Sequence, residues 1–410
     1  MAKDKILSAI DLGTQTIRAA VGRLSEDGTL EVIGYGTASS QGIVKSRIED
    51  QGKAAEALKK AVLAAENDVK SRLEHTIKGV IVSVGGSGVT SGVETITVDN
   101  NSKNELVTEK LLSEIDEKFE TRFTHKDQSP VHVYITDYFI DGIRKKSLDD
   151  VVGSQGEKIS ARALGILEEK NELDKIAGAL NASGQTVECY CFGAVADGWS
   201  VLTAEQRQKG ALLINAGAGS TSFTFWKDGI VHETGSFSVG GDHVTNDLAL
   251  GLGIPFNLAE EVKQNFIKEE HEIRVGGKYY KTRSVETIIQ NRVEETVKFI
   301  SDMIKEKGIL TQIQSGVFLT GNAARASFIN YVRREFSSLE IKTPCPIIPS
   351  EPAEANDKKE VRIFSPHYGN KFQTDHGAST VLGMLSFIAQ EETYSQKRKS
   401  KGLFNLFSLL

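Results

Sequence analysis

One local pattern occurs twice in this chain, and the repetition constrains the fold more than any other feature. Residues 6–10, 17–23 and 30–35 are β-rich runs separated by turns, with Gly22 and Gly28 among the turn markers. From Ala211 the run ALLINAGAGSTSFTFWKDGIVHETGSFSV again reads strand, Gly-rich turn, strand, turn, strand. Each copy is followed by alternating helical and strand-like segments, as expected of α/β units. The duplication predicts two similar α/β halves with a cleft between them.

The first turn of each copy carries the chemistry. Asp11-Leu12-Gly13-Thr14-Gln15 lies where a strand doubles back into the next strand. A tight turn with Gly and a hydroxyl residue points successive backbone N–H groups into one concavity that suits phosphate oxygens. A carboxylate at the strand end can hold Mg²⁺ through its water shell. Asn215-Ala216-Gly217-Ala218-Gly219-Ser220-Thr221-Ser222 occupies the same context in the second copy. Alone, either loop describes many hairpins, but the pair describes a nucleotide clamped between two halves. Phe318-Leu319-Thr320-Gly321-Asn322-Ala323, a strand running into a small-residue turn and a helix, lets backbone approach a flat nucleoside.

Composition narrows the function classes. At 410 residues the chain is long enough for two or more domains. Its net charge of −6 argues against general nucleic-acid binding, which depends on Lys and Arg. No signal-peptide hydrophobic region follows Met1, and no apolar run is long enough to span a bilayer. Cys189 and Cys191 alternate on a strand-like stretch and read as buried thiols rather than metal ligands, which suits a reducing cytoplasm. Residues 52–73 and 285–307 read as long helices, and 104–122 as a shorter one. The stretch between Pro344 and Pro366 is expected to be mostly loop.

The last residues form a local basic exception. Lys397, Arg398, Lys399 and Lys401 precede Leu403, Phe404, Leu406, Phe407 and Leu410. At helical spacing the five apolar residues share an arc of about 160°. Such a helix is too short to cross a bilayer but suits its interface. Each cation near an anionic leaflet adds about 1 kcal/mol.

The order and spacing of the three loops match the actin-like ATPase superfamily, and Gly240 to Lys263 narrows the resemblance. This segment, G-G-D-H-V-T-N-D-L-A-L-G-L-G-I-P-F-N-L-A-E-E-V-K, resembles the bacterial cell-division family FtsA. The resemblance covers essentially the whole chain and is strongest at 8–22, 211–265 and 397–410. It implies an actin-like (ribonuclease-H-like) duplicated α/β fold with an interdomain nucleotide cleft. Its parts would be a first subdomain at 1–85 continued at 169–205, with an inserted SHS2-like α+β unit at 86–168. A second half would span 206–240 and 311–372, with a subdomain at 241–310 over the nucleotide. A closing helix at 373–389, a linker at 390–400 and a membrane-targeting amphipathic helix at 401–410 would complete it.

The resemblance also implies site residues. Asp11, Gly13, Thr14 and Gln15 would contact the β/γ phosphates of ATP and, for Asp11, the water shell of Mg²⁺. Gly217, Gly219, Ser220 and Thr221 would form the opposing loop, closed beneath by Gly240 and Gly241. Glu260 and Lys263 would reach the ribose or base, and Gly321 and Asn322 would flank the nucleoside. The chain departs from the family pattern D-I-G-G-G-T-T-D, since Asn215 and Ser222 replace two carboxylates and Ala218 a glycine. Fewer carboxylates weaken metal binding, Asn215 being the altered ligand position, so little or no ATP turnover is expected. Arg18 reads either as positive charge near the phosphates or as a surface-strand residue.

Implied partners are FtsZ, bound through 241–310, a second copy of the chain in an actin-like filament, later divisome proteins and the anionic inner-membrane surface. The implied place is the cytoplasmic face of the cell membrane at the division septum. Two other readings remain: another membrane-associated actin relative of the MreB or PilM type, and a sugar or acetate kinase of the same superfamily. In the second of these Asp197 is the only candidate base.

Overall fold

A computed structural model describes residues 4–70, 76–100, 104–145, 150–268, 270–324, 326–346, 361–368, 372 and 375–400. Lys401, Leu403, Phe404, Leu406, Phe407 and Leu410, assigned above to a membrane-facing helix, lie outside the described residues.

The chain starts with an antiparallel meander of β1 (Lys5–Leu12), β2 (Thr16–Leu24) and β3 (Thr29–Ser39). A short hairpin, β4 (Ile43–Val44) and β5 (Arg47–Ile48), leads into α1 (Gln51–Lys70), and β6 (Gly79–Val84) returns parallel to β1. Both faces of this sheet are buried, and in β2 every residue from Ile17 to Gly22 is buried, Arg18 included. Ala54, Ala57, Leu58, Ala61, Val62, Ala65 and Val69 recur at helical spacing and lay α1 on one face. Gly36 of β3 makes that contact possible. A side chain there would stand 2.3 Å from the Ala65 nitrogen and 2.4 Å from the Ala61 carbonyl oxygen.

An antiparallel unit then departs from this rhythm, comprising β7 (Thr90–Asp99), α2 (Glu109–Phe123), β8 (Gln128–Ile140), β9 (Ile143–Lys145) and β10 (Lys158–Glu169). Its strand order is β7-β10-β8-β9. Leu112, Ile115, Phe119 and Phe123 of α2 close its core over Ile159, Ala161 and Ala163. The helix begins at Glu109 rather than at 104, because the Thr108 side chain accepts from the Leu111 N–H and caps it there. α3 (Lys170–Ser183) and β11 (Thr186–Phe192) return to the first sheet, β11 running parallel to β6. α4 (Gly193–Val201) and α5 (Ala204–Lys209) lead to the second half.

There β12 (Ala211–Ala216), β13 (Thr221–Lys227) and β14 (Ile230–Phe237) repeat the meander. α6 (Gly241–Leu252), α7 (Phe256–Gln264), the hairpin β15 (Glu272–Val275) and β16 (Lys278–Lys281), and α8 (Thr282–Glu306) follow. β17 (Val317–Thr320) then runs parallel to β12, and beyond α9 (Ala326–Glu335), β18 (Ile341–Lys342) runs parallel to β17. The two sheets therefore share one topology. In each, an antiparallel meander is extended, from its first strand outward, by two parallel strands.

Two segments differ from the sequence reading. Within the proline-rich stretch expected to be loop, β19 (Arg362–Phe364) pairs parallel with β3, held by Arg362 bonding to Asp27 and Thr29. The polar segment 390–400, read as a linker, continues α10 (Ser379–Ser400) as helix. It holds Gln, Glu, Lys and Arg and no Gly or Pro to stop it. Lys397, Arg398 and Lys399 lie in the last turn of that helix. At its other end Val381, Leu382 and Leu385 cover the second face of the first sheet with Leu7, Ala20 and Leu30. α10 also packs on α4, where Gly383 leaves no room for a side chain above the Ala196 carbonyl.

Candidate nucleotide cleft

The first loop is set by the end of β1. Gly13 is required sterically, since a Cβ would lie 2.5 Å from the Thr16 carbonyl oxygen. Asp11 Oδ1 accepts from Ser83 Oγ at 2.9 Å, and Ser83 Oγ in turn accepts from the Leu12 N–H at 2.8 Å. Burial pushes the Asp11 carboxyl up, against the pull of Arg18, whose Nη1 is 3.9 Å from Oδ2. Arg18 is neither a surface residue nor directed only at the loop. It is buried, and its Nη2 lies 3.5 Å from Asp375, which also accepts from the Tyr35 hydroxyl at 3.2 Å. The charge of Asp11 is thus already countered by a fixed guanidinium.

The second loop closes on itself, the Gly217 N–H donating to the Ser220 carbonyl at 2.9 Å. The start of α6 sits directly beneath. The Gly241 N–H donates to Gly217 O at 3.0 Å and the Asp242 N–H to Ala218 O at 2.8 Å. A side chain on Gly240 would strike both carbonyls, at 2.6 and 2.5 Å. Two N–H groups of the helix start are therefore spent on the loop rather than left to a ligand. Thr221, read as a phosphate contact, is buried, and its hydroxyl donates to the Val239 carbonyl at 2.7 Å. Ser222 is likewise turned to Ser236, at 2.8 Å.

The two loops face one another across a cavity of about 130 Å³, lined by Asp11, Gly13, Thr14 and Gln15 from one side and Asn215, Gly217, Ala218 and Ser220 from the other. Gly219 closes the approach: a side chain there would lie 2.4 Å from Thr14 Oγ1. Across the gap Gln15 Nε2 donates to Asp242 Oδ1 at 2.7 Å. Beyond Gly321 and Asn322, which line both spaces, the cleft widens to about 1240 Å³. Glu260 and Lys263 stand on its wall, 2.6 Å apart, and Lys263 Nζ also donates to Gly241 O at 3.0 Å and Thr245 Oγ1 at 2.7 Å. Burial would raise the Glu260 carboxyl, but the bonds from Lys263 and Thr245 hold it below its ordinary value. Gly321 is in the left-handed region at φ 86°, pressed against the Ala216 carbonyl.

Asn215 lines the small cavity, but its amide is engaged by a buried carboxylate. Its Nδ2 donates to Asp197 Oδ2, and Asp197 Oδ1 accepts from Ser379 Oγ at 2.8 Å and Thr380 Oγ1 at 2.9 Å. The fully buried Asp197 carboxyl thereby joins α4, β12 and α10, elements of both halves and the terminal helix. It is sealed from the cleft and is not placed to act as a catalytic base. Among the described residues no group of three or more His, Cys, Asp or Glu side chains is placed to hold a metal ion.

No motif marks the hairpin tip at Lys45 and Ser46, His376 on the wall of both spaces, or Asp375 and Tyr35 as partners of Arg18. Thr14, Gln15, Ser220, Gly321 and Asn322 line one space.

Two halves of common topology around a cleft floored by two glycine loops define the actin-like class. The solved structure of a PilM–PilN type IV pilus biogenesis complex shares this fold, with a TM-score of 0.64 at 13% identity over 94% of this chain and 98% of that chain. Within that class, the similarity in sequence is to FtsA. Residues 212–385 match the family model described as Cell division protein FtsA. Cell division protein FtsA of Pseudomonas aeruginosa is 23% identical over 78% of this chain and 78% of its own length. That of Buchnera aphidicola is 23% identical over 99% of this chain and 95% of its own length.

Proposed function

We propose that the chain is an ATP-binding, actin-like bacterial cell-division protein that tethers the FtsZ ring to the cytoplasmic membrane at the septum and helps recruit later division proteins. The observation that carries the nucleotide part is the shape of the cleft. Opposed glycine loops floor a space of phosphate size, and it opens past Gly321 into one large enough for a nucleoside. Gly13, Thr14, Gln15, Gly219 and Ser220 would hold phosphate oxygens largely through backbone N–H groups and hydroxyls, while Gly217, whose N–H is given to the Ser220 carbonyl, keeps the loop closed. Glu260, Lys263, Gly321 and Asn322 would hold the nucleoside. Thr221 and Gly240 act one step back, bracing the second loop. The FtsZ, filament and membrane parts rest on the family likeness and on the basic, amphipathic end of the sequence.

A Mg²⁺ ion would depend on the phosphates and on waters held by Asp11, since Asn215 is committed to Asp197. When bound it would supply charge neutralisation at the phosphates. With Asp11 already paired to Arg18 and no second carboxylate on the loop, the cleft is built to hold ATP closed rather than to split it. Phosphate release from ATP by the purified chain is expected to stay near background. Sustained turnover abolished by Asp11→Ala contradicts this.

A further inference from the structure

The hairpin β4–β5 reaches into the cleft, and no sequence signal marks its tip as functional. Its base is fixed on the end of β10 and the start of α3. Arg47 Nη2 lies 2.7 Å from Glu169 and 3.5 Å from Glu172, the Ile48 N–H donates to Glu172 Oε1 at 2.6 Å, and Lys175 Nζ donates to Ile48 O at 3.1 Å. Its tip is strained, with Lys45 at φ 50° and Ser46 at φ 63°, both left-handed and neither glycine. Backbone of this kind persists only where the surroundings hold it, and it gathers at ligand clamps.

What holds the tip is the pair of phosphate loops themselves. The Ser46 N–H donates to Thr14 Oγ1 of the first loop at 2.9 Å, and Ser46 Oγ is hydrogen-bonded to Ser220 Oγ of the second at 2.9 Å. Gly219 admits the tip, because a side chain there would lie 2.7 Å from the Lys45 Cα. Three hydroxyls from three separate segments, Thr14, Ser46 and Ser220, thus converge on the small space. Each hydroxyl can rotate to donate to an oxyanion instead of to its neighbour. The Lys45 side chain is exposed beside them. After burial, its ammonium is the next influence lowering the basicity of His243, which sets that cation near the first turn of α6.

We propose that Lys45 and Ser46 form a third phosphate-binding element, which takes the terminal phosphoryl group of a nucleoside triphosphate and so distinguishes it from the diphosphate. The proposal rests on the nucleotide reading of the cleft. A terminal phosphate would replace the Ser46–Ser220 bond with bonds from both hydroxyls, while Lys45 supplies a point charge. A diphosphate ends short of the tip and leaves that bond in place.

Titration calorimetry of the full chain with Mg-ATP and Mg-ADP tests it, alongside urea midpoints that confirm folding of each variant. Lys45→Ala is expected to weaken Mg-ATP about tenfold and Mg-ADP less than about threefold, with Lys45→Arg recovering most of the loss. Ser46→Ala, which keeps the backbone donor, is expected to shift the ATP/ADP ratio the same way by a smaller factor. If the wild type binds both nucleotides and neither Lys45→Ala nor Ser46→Ala changes their ratio, the role of the tip is wrong and the cleft reading stands. If the wild type binds neither nucleotide, both fall together.

Discussion

Asn215→Asp is expected to destabilise the protein by about 2–4 kcal/mol at pH 8 and by less than half that at pH 5, in urea unfolding. The amide of Asn215 donates to a carboxylate that has no access to solvent. An aspartate there would set two carboxyls in contact between α4, β12 and α10. They could not both ionise, so one would keep its proton far above its ordinary range. Each unit of that shift is worth about 1.4 kcal/mol once the pH exceeds both values. A folded-state pKa raised in this way gives a contribution that is present at low pH and lost as pH rises, which is why the penalty must shrink at pH 5. An equal loss at both pH values would mean that packing, and not the facing carboxyls, sets the effect. The substitution that takes a carboxylate out of the second loop is therefore also what lets the loop bind Asp197.

The wild type carries the same sensitivity in weaker form. Burial pushes the Asp197 carboxyl up to about 7 despite bonds from Ser379, Asn215 and Thr380. Glu168 is pushed up to about 7 as well, chiefly by burial, with Arg47 pulling the other way. Its Oε2 has no hydrogen-bond partner among the described residues. In the unfolded chain both groups ionise near pH 4. Raised folded-state values mean that the folded form binds more protons, so stability is fully present below about pH 4 and falls as pH rises through about 7. For Asp197 the shift of about three units corresponds to roughly 4 kcal/mol between those limits. Asp197→Asn keeps an acceptor for Asn215 and turns its amide to two hydroxyls that can accept. It is expected to flatten the fall between pH 5 and pH 8 by about 2–3 kcal/mol. A profile identical to the wild type would show that Asp197 ionises freely where it lies.

The duplicated meanders were legible because both loops combine glycine with flanking apolar runs that only a buried sheet accommodates. Gly13, Gly219 and Gly321 could be picked out for the same reason, since a close backbone approach leaves a compositional mark. The residues that were not legible depend on contacts between distant segments. Nothing near Asp197 in sequence announces Asn215, Ser379 or Thr380 as its partners. Lys45 and Ser46 adopt a conformation that normally selects glycine, so their own identities conceal it. Arg18 sits on an ordinary strand, and only the fold brings Asp375 to it. Thr221 was misplaced because strand alternation turns its hydroxyl from the cleft towards Val239. β19 is too short to carry a periodic signal, and it exists through the bonds of Arg362.

For the proposed tethering role, Asp197 and the cleft would matter through one geometry, since a clamp that holds two halves together would present a single rigid body to a filament. Many short anchors on one polymer bind a surface together far more tightly than one anchor does alone. Flotation of FtsZ polymers with anionic vesicles is the most direct test of the tethering role, comparing the full chain with a version ending at Lys399. The full chain is expected to carry FtsZ up with the vesicles, and the shortened one to leave it behind while still binding FtsZ in solution. FtsZ that fails to float with the full chain, or floats equally well with the shortened one, contradicts the account.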